Sequence, residues 1–131
     1  MSNAPESVDD EVDVTGLFTG QHVLVELHGV ERGPLDDEKF LCRTLEQTLI
    51  DAGATVLDIV SRRFSPQGVT VLAVLSESHA SIHTYPELGS VFIDVFTCGK
   101  RARPQLAVQL LAEALRAPRM ESTVIQRGRT Y

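Results

Sequence analysis

Lysine and cysteine are both scarce in this chain: Lys39 and Lys100 are the only lysines, Cys42 and Cys98 the only cysteines. Two cysteines with nothing to indicate export do not make a disulfide framework, so thiols in a reducing cytoplasm are expected. No apolar run approaches the roughly 20 residues that cross a bilayer as a helix, so no membrane association is expected. The opening segment MSNAPESVDDEV has neither a basic end nor an apolar stretch and does not read as a secretory signal. Basic patches are missing too, and a formal net charge of −6 argues against a nucleic-acid partner. Two lysines, both outside the most reactive stretch, leave little room for chemistry that needs a lysine Schiff base.

The acidity is local. Residues 1–19 hold Glu6, Asp9, Asp10, Glu11 and Asp13 with no lysine or arginine, whereas the other 112 residues carry 13 acids and 12 bases. Residues 1–19 therefore read as a solvated, disordered arm without a binding role. Residues 20–131 read as one domain, which suits a length of 131. A chain this short buries limited surface, and a second subunit is a natural way to complete a deep pocket.

Within that domain, His22 to His28 (HVLVELH) alternates apolar and polar residues and reads as a strand ended by Gly33-Pro34. From Asp36 to Ala52 the apolar positions Phe40, Leu41, Leu45, Leu49 and Ile50 fall at helical spacing. Acids at the start suit the helix dipole, and Gly53 suits the stop. Ala54 to Phe64 reads as a second strand, closed by Ser65-Pro66-Gln67-Gly68. Val69 to Leu75 (VTVLAVL) is almost wholly apolar and reads as a central strand buried on both faces. A short strand is expected at 81–85, another at 90–97, a helix over 102–117 with Pro104 in its first turn, and a last strand at 120–126. The expected fold is α+β: a two-layer sandwich of a mostly antiparallel sheet with two helices on one face.

Reactive groups concentrate in Ser76-Glu77-Ser78-His79-Ala80-Ser81-Ile82-His83-Thr84-Tyr85-Pro86-Glu87, and Cys98 follows the next strand. His79 and His83 share a face whether the segment is helix or strand, with Cys98 a conceivable third metal ligand. No HExxH, CxxC or acidic partner at ligand spacing accompanies them, so no metal is assigned. A Cys-His or Ser-His hydrolase would use Cys98 or Ser78 with His83 as base, but no GxSxG elbow is present. Residue by residue, each of these groups is as well explained as a satisfied strand histidine or a small buried thiol.

The whole string is more specific. SESHASIHTYPE followed by FIDVFTCG, with RRFSPQGVT before it and QRGR after it, resembles the prokaryotic S-adenosylmethionine decarboxylase proenzymes from about Gly20 to Arg129. That resemblance implies a self-processing, pyruvoyl-dependent decarboxylase. Cleavage would fall between Glu77 and Ser78, giving a β chain 1–77 and an α chain 78–131 whose first residue becomes a pyruvoyl group made from Ser78. By the same resemblance His83 is the base for processing, assisted by Thr70 where serine is usual, and Cys98 returns the proton to the substrate after decarboxylation. Phe64 would stack on adenine, and Glu87 would accept hydrogen bonds from the ribose hydroxyls. The substrate implied is S-adenosylmethionine, serving polyamine (spermidine) synthesis in a cytoplasmic homodimer with sites at or near the subunit interface. Tyr85, Leu88, Val71 and Thr70 depart from the usual Trp, Tyr, Gly and Ser, which leaves ornithine or arginine decarboxylation as an alternative. An unprocessed paralogue acting as a binding protein is the non-enzymatic alternative.

Overall fold

The structure, a computed structural model, describes residues 17–130. Six strands make one antiparallel sheet: β1 (Leu17–His28), β2 (Val56–Arg63), β3 (Val69–Leu75), β4 (Ser78–Tyr85), β5 (Ser90–Cys98) and β6 (Arg119–Thr130). Their order across the sheet is β2-β3-β4-β5-β1-β6. A single turn, α1 (Arg32–Leu35), leads into α2 (Glu38–Asp51), and α3 (Pro104–Ala114) joins β5 to β6. The α+β sandwich is thus present, with α2 packed on β2 and β3 and α3 on β1 and β5.

The core follows from strand alternation. Val23, Val25 and Leu27 of β1, Ala80 and Ile82 of β4, and Val91, Ile93 and Val95 of β5 are buried against Leu41, Leu45, Leu49, Val108 and Leu111 of the helices. Truncating such a fully buried leucine to alanine typically costs about 2–5 kcal/mol. Thr84, one of the buried polar residues, is satisfied: its hydroxyl donates to Leu35 O at 2.6 Å and accepts from Val69 N at 2.9 Å.

Several boundaries differ from expectation. β1 begins at Leu17, so residues 17–19 of the expected arm are strand, held by pairing with residues 128–130 of β6. The remaining arm, 1–16, lies outside the described residues. The helix expected from Asp36 begins at Glu38 instead, because Asp37 is the N-cap of α2, its carboxylate accepting from Phe40 N at 3.0 Å. β4 starts at Ser78 rather than 81, since a two-residue turn returns the chain directly into pairing with β3. β6 continues through what reads as a polar tail.

β3 is also not buried on both faces. Leu72 and Val74 are 45% and 49% exposed, because all helices lie on the other side of the sheet. That uncovered face carries Val60, Leu72, Val74, Phe92, Leu24 and Ile125, all substantially exposed.

Candidate active site

Ser76 and Glu77 form the turn between β3 and β4, with Leu75 opposite Ser78. Glu77 sits at φ 60, a left-handed conformation that a side chain with a Cβ disfavours. A positive φ at the second turn residue alone is the type II pattern, which fits strand twist less well than the primed turns. Ser78 follows at once, on the inner face of β4 at the sheet end. Its Oγ accepts from Cys98 N at 3.3 Å. Ser76, Ser78, Thr97 and the buried Cys98 line a small cavity of about 80 Å³, together with Thr55 and Arg101. Turn, hydroxyl and thiol are therefore together.

A second group lies at the other end of the sheet. Thr70 of β3 is paired with His83 of β4, and Thr70 Oγ1 is 2.9 Å from His83 Nδ1. Phe64 follows the end of β2, half exposed, its N–H donating to Gly68 O at 2.8 Å. Asp36 holds this loop by accepting from Gly68 N at 2.9 Å and Arg63 at 2.6 Å, and those bonds keep its carboxyl below the usual range. Gly68, at φ 102, supplies the conformation that the loop needs. Glu87 is exposed in the turn after Pro86, beyond Tyr85, whose ring rests 5.1 Å from that of Phe92.

The two groups do not meet within the chain. His83 lies five residues along β4 from Ser78, an odd number that puts it on the opposite face. At about 3.3 Å per residue the separation is roughly 17 Å. His79 and His83 do share the outer face, as strand spacing requires, but stand about 13 Å apart by the same rise and cannot hold one ion.

Sequence reasoning missed a polar cluster between them. Asp94 of β5 accepts from His22 Nε2 at 2.6 Å, from His79 Nε2 at 3.0 Å and from the Ser81 hydroxyl. Arg127 of β6 donates to His22 Nδ1 at 3.2 Å and lies 4.7 Å over the Phe96 ring. Burial pushes the Asp94 carboxyl up, but the bonds from Ser81, His22 and His79 outweigh it and hold the group below its ordinary value. The signal available was a carboxylate inside an otherwise apolar strand, FIDVF. His22, His79 and Asp94 bring three possible metal-ligand atoms within 4.8 Å. A guanidinium can only donate, however, so Arg127 fixes the His22 proton on Nε2, the atom a metal would need bare. The cluster is a hydrogen-bond relay.

With this geometry in place, comparison with known proteins is informative. A family model described as S-adenosylmethionine decarboxylase matches residues 21–128. A protein from Synechococcus sp. named S-adenosylmethionine decarboxylase proenzyme is 49% identical over 100 residues, spanning 76% of this chain and 78% of that protein. One of the same name from Caldicellulosiruptor saccharolyticus is 40% identical over 109 residues, spanning 83% and 88%. The crystal structure of the adenosylmethionine decarboxylase from Aquifex aeolicus superposes with a TM-score of 0.80 at 31% identity, covering 86% of this chain and 92% of that one. The fold alone is shared with the Trypanosoma brucei AdoMetDC monomer, at a TM-score of 0.57 and 14% identity over 79% of this chain and 45% of that one.

Proposed function

The chain belongs to the S-adenosylmethionine decarboxylase family, and from that premise we propose that it decarboxylates S-adenosylmethionine with a pyruvoyl group made from its own Ser78. The observation that carries this reading is the placement of Ser78 directly after a left-handed Glu77, beside Cys98. The Ser78 hydroxyl attacks the Glu77 carbonyl, so that an ester replaces the amide. Removal of the Ser78 Cα proton then expels the Glu77 carboxylate and leaves dehydroalanine, which water converts to the pyruvoyl group with loss of ammonia. The site suits that processing: the Cys98 N–H donates to the Ser78 hydroxyl, the attacking group, and the Cys98 thiol belongs to the same cavity. Once formed, the group supplies a ketone that takes the substrate amine and an electron sink for the loss of carbon dioxide. Cys98 is the proton donor to the substrate α-carbon.

His83 and Thr70 serve as base and assistant in processing, and Phe64 and Glu87 hold adenine and ribose. Since these four lie at the far end of the sheet from Ser78, the reading includes a homodimer packed through the uncovered sheet faces. A two-fold axis lying in that face and crossing the strands would lay the His83 end of one protomer over the end of the partner's sheet that carries the β3–β4 turn. Six strands at about 4.8 Å spacing and about 25 Å long give a face of roughly 600–700 Å², near the roughly 800 Å² per partner typical of stable pairs. Leu24, Leu72, Val74 and Phe92 supply its apolar content. Among the described residues no helix is long and apolar enough to cross a membrane, and a cytoplasmic biosynthetic setting is the one proposed.

The proenzyme name of the relatives supports self-cleavage and the S-adenosylmethionine substrate. Nothing in the site favours ornithine, arginine or a non-processing binding role. Intact mass of the purified protein should give two chains split at Glu77–Ser78. Carbon dioxide release should exceed background with S-adenosylmethionine and not with ornithine or arginine. A single uncut chain, or preference for either amino acid, refutes the assignment.

A further inference from the structure

Asp94 takes no part in the chemistry assigned above, yet it ties four strands together. Ser81 and His79 reach it from β4, and His22 from β1 with Arg127 of β6 behind. The consequence concerns what holds position 78 in place. In the uncut chain Ser78 is held from both sides, by the turn to β3 and by β4 itself. A cut at Glu77–Ser78 removes the turn, and position 78 becomes the free end of a strand lying between β3 and β5, the kind of terminus that frays. The first side chain able to hold that end is His79, through its bond to Asp94 and its ring 5.8 Å from Phe96. Asp94 and Cys98 lie on the same strand, four residues apart, so whatever fixes His79 to Asp94 also fixes position 78 relative to the thiol.

We propose that Asp94 is a positioning residue that, through His79, clamps the new N-terminus of the cleaved α chain beside Cys98. The inference rests on the proposed cleavage. Asp94's own orientation is set by Ser81 and His22, and that of His22 by Arg127, so the clamp is rigid before the cut and is needed only after it. A displacement of about 1 Å in a reacting pair can cost about a hundredfold in rate, which makes a single histidine–carboxylate bond at this point consequential.

Hydrogen exchange of the amides at 79–81 provides the test, in Asp94→Asn and, as a second variant, His79→Gln. Each is compared in cleaved protein and in an uncut Ser78→Ala background. The expected result is faster exchange at 79–81 in the cleaved variants only, with kcat lowered about tenfold or more and KM changed by no more than about threefold. Equal acceleration in the uncut background, or none in either, overturns the proposal. Loss of cleavage in both variants overturns it as well, because a clamp needed after the cut has no part in making it. If the wild-type chain is never cleaved, it is the pyruvoyl reading that fails.

Discussion

Replacing Glu77 by glycine is expected to slow self-cleavage. A left-handed φ costs a non-glycine residue about 1–2 kcal/mol, and the structure puts Glu77 at φ 60 on the carbonyl side of the bond to be broken. If that strain is released as the turn opens in the acyl shift, it raises the precursor toward the transition state. Glycine removes the strain from the ground state alone. A difference of 1–2 kcal/mol corresponds to a rate about 5- to 30-fold lower. Asparagine, which tolerates the left-handed region better than glutamate, should fall between glycine and the native residue. Alanine loses the carboxylate but keeps the strain, and should cleave close to the native rate. The assay is the decay of freshly synthesised precursor, quenched at intervals and resolved by intact mass. Glycine cleaving as fast as glutamate, or alanine cleaving as slowly as glycine, would show that the strain does not drive the reaction.

Leu72→Asp puts a charge in the middle of the uncovered sheet face, where the leucine is 45% exposed and buries little in its own protomer. It should leave the fold intact by circular dichroism but give a monomer by light scattering; a persistent dimer would locate the interface elsewhere. Thr70→Val removes the hydroxyl 2.9 Å from His83 Nδ1 and should slow processing about tenfold or more, with Thr70→Ser restoring it. Asp94 bears on acid stability. Its folded pKa lies below the ordinary 3.8, so its contribution is present above that value and lost as pH falls through the folded pKa. The Tm advantage of wild type over Asp94→Asn should therefore shrink below about pH 4; a gap that widens in acid contradicts the sign.

β4 shows where sequence reading stops. Ala80, Ile82 and Thr84 alternate with His79, Ser81 and His83, so period two was legible from 79 onward. The run Ser76–Ala80 nevertheless reads as a loop, because its polarity is local while its pairing with β3 is not. The candidate site residues were legible as a string, but their division between two faces was not. It depends on which residue opens the strand, and a shift of one reverses every side chain. The Asp94 cluster was still less visible, since its members come from strands up to 105 residues apart. The helices were easier, since their apolar faces recur within a turn or two. Even so, Asp37 acting as a cap rather than a helix residue moved the start of α2.

The strand order β2-β3-β4-β5-β1-β6 has one more consequence. A cut at Glu77–Ser78 assigns β1, β2 and β3 to one polypeptide and β4, β5 and β6 to the other. Three of the five seams in the sheet then run between different chains, and β1 is gripped on both sides by strands of the other fragment. The pieces are woven together and cannot part without dismantling the sheet. Before the cut, folding is a one-chain problem; afterwards, recovery from denaturation is a second-order encounter between two incomplete halves, slower at every dilution. The proposed cleavage would thus make refolding depend on two fragments finding each other, where the intact precursor needs only itself.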